Sequence, residues 1–338
     1  MPNRLLIFSF IVAILSISCG AKKWGTPVGM QINYSETDNV NYGHSFRVQT
    51  ILVYSTGKTK DITKEKETTY KIQGGKINGN RVSVPGYQKS FGENKVKLEA
   101  SYTKKDVHYS LSATFPYNYK GDLIIKRNGA NGHVGSEGEK GKGNMLFRNG
   151  TDGQDGGNGS DGADGHDLTL HIYKDTINDI FKIKVTDVST TNVFYYKNKD
   201  MGFPIKIFSN GGHGGAGGNG ADGKDGKDGR MKEDKEKFPG DGGNGGNGGD
   251  AGSGGTGGSI YIFIHPSASG IENRIVSYAN AGNAGIGGKG GLAGEAGKPL
   301  EGQDGAKNGT AGTLGQIGLM GNPGPPLQMS VEDFDIDF

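Results

Sequence analysis

Residues 240–262 read GDGGNGGNGGDAGSGGTGGSIYI, with glycine at every third position up to a short apolar strand. A period of three residues is that of the polyproline II helix, whereas strands repeat every two residues and α-helices every 3.6. One edge of such a helix carries no side chain, so a neighbouring chain can approach to backbone contact. The isolated helix has no internal hydrogen bonds, and its N–H and C=O groups must find partners across that bare edge. The segment therefore predicts left-handed helices that pack side by side.

The same spacing of glycine recurs in six separate runs. They are run 1 (129–141), run 2 (150–165), run 3 (211–229), run 4 (240–258), run 5 (282–297) and run 6 (309–324). Collagen would need long unbroken repeats rich in proline, and these runs are short and nearly free of proline until Pro323. Disorder is the other alternative, because glycine-rich polar sequences favour it. Against disorder, the register is strict and strand-like segments punctuate the runs. One glycine in each run represents the predicted contact edge: Gly132, Gly156, Gly217, Gly246, Gly288 and Gly315.

The strand-like segments are ordered around the runs. Segments 122–126, 204–208 and 274–279 precede runs 1, 3 and 5, and segments 168–173, 260–265 and 327–334 follow runs 2, 4 and 6. Links 142–149, 230–239 and 298–308 join the two runs of each pair. This order predicts three copies of strand, run, link, run and strand, with antiparallel pairs of runs on a β-sheet base. An additional hairpin, 181–188 with 193–196, interrupts the first copy.

The chain before the runs has the character of a separate β-domain. Ser45–Tyr54 and the segments 95–102 and 109–115 are rich in β-branched and aromatic residues, with partial alternation. Several short strands in so few residues predict a β-sandwich. Residues 53–63, VYSTGKTKDIT, resemble a turn of bacterial Ig-like repeats. We therefore expect a mostly β fold with polyproline II, in which an Ig-like β-sandwich (30–121) precedes a bundle of six Gly-x-x left-handed helices on a small β-base (122–334).

The glycine doublets that run into a strand at 242–262 resemble the Obg fold, in which six glycine-rich left-handed helices project from a small β-barrel. The same pattern is similar to polyglycine II bundles in antifreeze proteins and phage adhesins. The resemblance spans about 200 residues and implies architecture. Obg proteins continue into a GTPase domain, but this chain contains no G-x-x-x-x-G-K-[ST] motif. Nucleotide chemistry therefore does not carry over.

The N-terminus has the pattern of an export signal. Arg4 precedes an apolar run, 5–17, which is shorter than the roughly 20 residues of a membrane-spanning helix. Residues 15–20, LSISCG, resemble a loose lipobox, with Ser16 in place of the usual large aliphatic residue. Cys19 is the sole cysteine, so a disulfide is excluded and its thiol is free for acylation. We expect a signal peptide at 1–18 and a lipidated linker at 19–29; a plain secretory signal is the alternative. The residue after the cysteine is Gly20, and not the Asp that is typical of inner-membrane retention signals. We therefore expect the lipid to anchor the protein in the outer membrane, at the cell surface more than at the periplasmic face.

Other sequence features argue against enzymatic chemistry. The net charge of +2 comes from interspersed acids and bases, which excludes a basic track for nucleic acid. The seven histidines are scattered, and no H-E-x-x-H or G-x-S-x-G motif occurs, so no catalytic residue, metal or cofactor is expected. His171 and His265 fall within strand patterns and are interpreted as satisfied sheet residues. One carboxylate series lies along a single ridge of run 2, where its members would be about 9 Å apart, too far to chelate one ion. We interpret it as a solvated acidic ridge, with a calcium site between two helices as the alternative.

The C-terminus, 331–338, reads VEDFDIDF. Phe334, Ile336 and Phe338 would share one face of a strand, with acidic residues on the other. Residues 335–338 form an acidic, aromatic tail, which either ends the β-base or docks on a partner's sheet. We expect a non-enzymatic, outer-membrane-anchored lipoprotein acting as a rigid structural or accessory subunit of an outer-membrane protein complex. Its partners would be the membrane, through the lipid, and outer-membrane proteins, without nucleic acid or nucleotide. A cell-surface adhesin or glycan-binding protein is the alternative, and ice binding is disfavoured by the charged ridges.

Overall fold

A computed structural model describes residues 24–34, 40–89, 94–142, 148–233 and 235–335. The signal peptide, Cys19, Ile336 and Phe338 lie outside the described residues. Within those ranges no helix is long and apolar enough to cross a membrane. The only helical segments described are two short 3-10 turns, Pro266–Ala268 and Ile271–Arg274. The fold is mostly β, with several sheets, as the sequence predicts.

The described residues of the N-terminal unit form eight strands. They are β1 (Pro27–Tyr34), β2 (Ser45–Tyr54), β3 (Thr59–Asp61), β4 (Thr68–Gln73), β5 (Lys76–Asn78), β6 (Arg81–Ser83), β7 (Lys95–Lys104) and β8 (Val107–Pro116). One sheet has the order β1-β2-β6-β5, with β3 on β2, and the other has the order β4-β7-β8. Alternate residues of β2 and β7 are buried, and Phe46 and Val48 join Val96 and Leu98 in one apolar cluster. The two sheets therefore share a core.

Ten further strands follow. They are β9 (Leu123–Lys126), β10 (Leu168–Asp175), β11 (Ile180–Asp187), β12 (Asn192–Lys199), β13 (Ile205–Phe208), β14 (Arg230–Lys232), β15 (Lys235–Lys237), β16 (Ile260–Ile264), β17 (Ile275–Tyr278) and β18 (Gln328–Val331). Strands lie at each position predicted to flank a pair of runs, and β11 and β12 form the predicted hairpin on the first copy. The link between runs 3 and 4 contains a small hairpin, β14–β15, which the sequence reading did not predict.

Two sheets form the base from which the runs extend. Strands β9, β13 and β17, which lead into runs 1, 3 and 5, form a parallel sheet in the order β17-β13-β9. Strands β10, β16 and β18, which follow runs 2, 4 and 6, are parallel within the sheet β12-β11-β10-β16-β18. Isoleucines and leucines of both sheets, among them Ile125, Leu170, Ile207 and Ile262, are buried together in one cluster. This apolar core fixes where each run begins or ends.

The N-terminal unit covers one edge of the base. Gln88 exchanges both backbone hydrogen bonds with Tyr195 of the edge strand β12, at 2.8 and 3.0 Å. The centre of the Tyr87 ring of the N-terminal unit lies 4.6 Å from that of the Phe194 ring of β12 and 5.4 Å from the guanidinium of Arg127. The phenol of Tyr42 accepts a hydrogen bond from the Lys197 amide, and burial raises the pKa of that phenol. The opposite edge of the same sheet is β18, whose four residues are all exposed.

Candidate functional site: the packed glycine edges of the six runs

The two runs of each linked pair lie antiparallel and are joined through their backbones. A hydrogen bond recurs at every third residue along each pair, as the period of the glycines requires. Representative bonds are Gly157 N–H to Ser136 O (2.7 Å) between runs 2 and 1, Gly249 N–H to Gly218 O (2.9 Å) between runs 4 and 3, and Gly315 N–H to Gly288 O (2.9 Å) between runs 6 and 5. These bonds satisfy backbone groups that an isolated run would leave without protein partners.

Runs from different pairs are joined side by side into two layers. Run 1 donates to run 3, and run 3 donates to run 5, with all three chains parallel. Runs 2, 4 and 6 form a second parallel layer in the same way. Representative bonds are Gly135 N–H to Ala216 O (2.8 Å), Gly217 N–H to Ile286 O (2.9 Å), Gly156 N–H to Asn247 O (2.8 Å) and Gly248 N–H to Thr313 O (2.8 Å). The order of runs in each layer continues the order of the base strands attached to them.

The number of glycines in a run follows its number of neighbours. Runs 3 and 4 each bond to four other runs, and two glycines occur in three of the six triplets of run 3 and in five of the six triplets of run 4. In the triplet 244–246, a Cβ on Gly245 would lie 2.2 Å from the carbonyl oxygen of Gly291 in run 5. A Cβ on Gly246 would lie 2.0 Å from the carbonyl oxygen of Gln154 in run 2. Both contacts are far shorter than van der Waals distance, so side chains are excluded from both positions of this triplet.

The terminal runs keep glycine on one side only. We number the positions of every triplet as in 244–246, where Asn244 is first and Gly246 is third. Run 2 has no preceding run in its layer, and its third position holds residues with side chains, such as Gln154 and Ser160. Run 6 has no following run among the described residues, and its second triplet position holds Leu314, Ile317 and Met320. The triplet position occupied by glycine therefore reports the side on which a run has neighbours.

All six glycines predicted to mark the contact edge lie against backbone. The place of a Cβ would be within 2.0 Å of a carbonyl oxygen at each of them: Ser160 for Gly132, Gly218 for Gly156 and Gly288, Gly249 for Gly217 and Gly315, and Gln154 for Gly246. Five of the six glycines therefore face one of three carbonyl groups, those of Gly218, Gly249 and Gln154. The sixth, Gly132, faces Ser160. The cost of replacing them remains a prediction.

A ladder of side-chain acceptors connects the runs within each layer, and the sequence reading missed it. The carboxylate series of run 2 accepts hydrogen bonds from backbone amides of run 4, over distances of 2.5–2.7 Å, at Asp152, Asp155, Asp161, Asp164 and Asp167. In run 3, Asp222, Asp225 and Asp228 accept amides of run 5 in the same way. The carboxylates of run 2 are exposed, as expected of a solvated ridge, and they have in addition an acceptor role that the sequence did not predict. An Asn or Asp directly before a glycine at three-residue spacing is the signal that would have indicated this role.

The ladder also has an electrostatic signature. Asp222 accepts the amide of Leu292 at 3.0 Å and lies 3.1 Å from the ammonium of Lys140. The Leu292 amide first, and Lys140 second, hold the pKa of the Asp222 carboxyl below its usual range. In the described part of the chain no group of three or more His, Cys, Asp or Glu side chains is arranged to hold a metal ion. The geometry of these carboxylates serves the backbone of the next run.

His171, His265 and Phe334 form an aromatic cluster on the base; His171 lies in β10 as predicted, whereas His265 follows β16 and caps the 3-10 turn Pro266–Ala268. His171 stacks on Phe263 with ring centres 5.1 Å apart, and its Nδ1 is buried without a hydrogen-bond partner. The interpretation of His171 as a satisfied residue was therefore wrong, and burial lowers the pKa of its imidazole. His265 accepts the Ser267 amide at Nδ1. Phe334 lies edge-on against both imidazoles, at 5.1 and 5.4 Å.

No family model, curated protein or solved structure matches the chain.

Proposed function

We propose that this chain is a non-enzymatic lipoprotein, held at the outer membrane through acylated Cys19, that acts as a rigid structural or accessory subunit of an outer-membrane protein complex. The observation that carries the proposal is the backbone bonding of the six runs in two layers. Each central run bonds to four neighbours at every third residue, and the glycines that face those neighbours leave no room for a Cβ. Such an array resists bending, which suits a spacer or a platform.

The finer architecture is part of the proposal. We assign the runs as polyproline II helices of an Obg-like bundle, because their hydrogen bonds repeat every three residues and no described run glycine has a positive φ. We assign the N-terminal unit, with its two sheets and shared core, as an Ig-like sandwich. At about 3.1 Å per residue, run 3 alone would reach about 55 Å.

The anchor and the bundle tips would face different ways. The first described residue is Trp24, and its ring centre lies 5.5 Å from the ring centre of Tyr54 in the N-terminal unit. That unit sits on the β12 edge of the base, and the links between paired runs lie at the end of the runs away from the base. A lipid attached near residue 19 would thus hold the N-terminal unit close to the membrane and present the bundle to a partner.

Replacing the acylated residue tests the anchor. The Cys19→Ala chain should appear in the soluble fraction, while the wild-type chain stays with membranes and shows a lipid mass on its N-terminal peptide. Because Cys19 is the only cysteine, the change affects no disulfide. If the variant remains in the membrane and the wild type has no lipid mass, the lipoprotein assignment is wrong.

Purification of the native chain from detergent-solubilised membranes tests the accessory role. An outer-membrane protein should co-purify in a fixed ratio and should be lost with a variant that disrupts the bundle, such as Gly246→Ala. Recovery of the chain alone, together with binding to a glycan array, would contradict the accessory role and support an adhesin.

A further inference from the structure

The last run differs from the other five in its chemistry. From residue 308 to residue 331 the chain contains no Asp, Glu, Lys, Arg or His, whereas every other run carries charged residues. Leu314, Ile317 and Met320 occupy the second position of successive triplets and are 75%, 76% and 67% exposed. At about 3.1 Å per residue, they form a straight ridge with side chains about 9 Å apart. We call these three residues the run 6 ridge.

The direction of the ridge follows from the parallel run 4. There a Cβ on Gly245 or Gly248, at the second triplet position, would point at the backbone of run 5. Run 6 bonds to run 5 through the same triplet position by which run 4 bonds to run 3. The ridge of run 6 therefore points to the side on which run 5 lies beside run 4, where a seventh run would lie beside run 6. No described segment lies there. Ile286 and Leu292 of run 5 are also largely exposed, at one triplet position that they share with Lys289.

An exposed apolar surface of this kind is typical of an interface. Interface cores are depleted of charge and enriched in apolar side chains, whereas monomer surfaces rarely leave large apolar patches open. The N-terminal unit pairs with β12 at one edge of the base, whereas run 6 lies on the opposite side of the fold with β18. The run 6 ridge is thus a free apolar end of an otherwise polar array.

We propose that the run 6 ridge binds the run 6 ridge of a second copy of this chain, around a two-fold axis that passes close to Ile317. Such an axis places Leu314 opposite Met320 of the second copy and brings the two Ile317 side chains together. The two runs would then be antiparallel, as runs 5 and 6 are within one chain, and their equal three-residue spacing keeps the ridges in register. Two-fold symmetric dimers are the commonest oligomers.

Charge and order favour a second copy over an unrelated partner. A self-facing surface must avoid like charges, and the absence of charge from residue 308 to residue 331 meets that condition. Run 6 is bonded to runs 4 and 5 along its length, so its backbone is ordered before the copies meet and association sacrifices little conformational freedom. The dimer does not depend on the lipid anchor, and the two proposals therefore fail separately.

Sedimentation velocity over a range of concentrations tests the dimer, using the chain from residue 19 onward with Cys19→Ser, which contains every described residue. The chain should dimerise reversibly. Ile317→Asp should raise the dissociation constant of the dimer about tenfold or more, because each copy would then place a carboxylate in the interface beside the two-fold axis. Ile177→Asp is the matched control, since Ile177 is 93% exposed in the turn before β11 and should leave the dimer unchanged. Equal thermal melts of the two variants would establish that both are folded.

A cross-linking variant keeps the test decisive if Ile317→Asp does not fold. Under mild oxidation, Ile317→Cys in the Cys19→Ser chain should give a disulfide-linked dimer, whereas Ile177→Cys should stay monomeric. A wild-type chain that is monomeric at every concentration would overturn the proposal. So would equal weakening by both Asp variants, or a monomer that binds vesicles of neutral phospholipid in a manner abolished by Ile317→Asp.

Discussion

Replacing Gly246 by alanine should destabilise the array strongly, because this glycine of run 4 lies directly against the backbone of run 2. Its Cβ would lie 2.0 Å from the carbonyl oxygen of Gln154, whereas ordinary contact begins at 3.4 Å. The two runs would have to separate locally by about 1.4 Å, which lengthens bonds of 2.5–2.8 Å past the normal hydrogen-bond range. The bonds nearest the substitution are Gly153 N–H to Asn244 O, Gly156 N–H to Asn247 O, Asn244 N–H to Asp152 Oδ1 and Asn247 N–H to Asp155 Oδ1.

The magnitude follows from these four bonds. At about 0.5–1.5 kcal/mol for each, their loss lowers the free energy of unfolding by about 2–6 kcal/mol. That is a large part of a typical total of about 5–15 kcal/mol. For a domain of this size the melting temperature should fall by roughly 4–24 °C.

Thermal unfolding followed by circular dichroism measures the effect. Gly305→Ala is the matched control, because it makes the same chemical change in the same part of the chain and no atom lies within 4 Å of its Cβ position. The control should melt with the wild type. If Gly246→Ala also melts with the wild type, the runs are not packed through their glycines and the reasoning fails.

Three further results are expected. Asp155→Ala should lower the free energy of unfolding by about 1 kcal/mol, because Asp155 accepts the Asn247 amide, while Asp155→Asn should retain most of it; equal losses in chemical denaturation would contradict the ladder. A calcium chelator should leave the melting temperature unchanged, since the run carboxylates serve backbone amides; a drop that added calcium restores would show a metal site. Phe334→Ala should lower the melting temperature by a few degrees, because its ring packs on His171 and His265; an unchanged melt together with loss of a co-purifying protein would favour the docking tail.

The sequence by itself determined the alternation of strands and runs. Glycine at every third residue leaves backbone as the only contact surface, and β-branched segments such as those at 168–173 and 260–265 mark where the sheets take over. These are local signals, because the period and the strand propensity are both written in consecutive residues. The short links likewise predict that paired runs lie antiparallel, and the bonds from Gly157 to Ser136 and from Gly249 to Gly218 join them in that sense.

The tertiary structure alone decided which runs are neighbours and what the side chains between them do. Runs 1, 3 and 5 are far apart in the chain, and their order follows from the base strands that carry them, β9, β13 and β17. A carboxylate such as Asp155 has the same sequence context whether it faces water or an amide of run 4. Only the position of run 4, about 90 residues later, makes it an acceptor, because a hydrogen bond depends on the distance between two atoms and not on their separation along the chain.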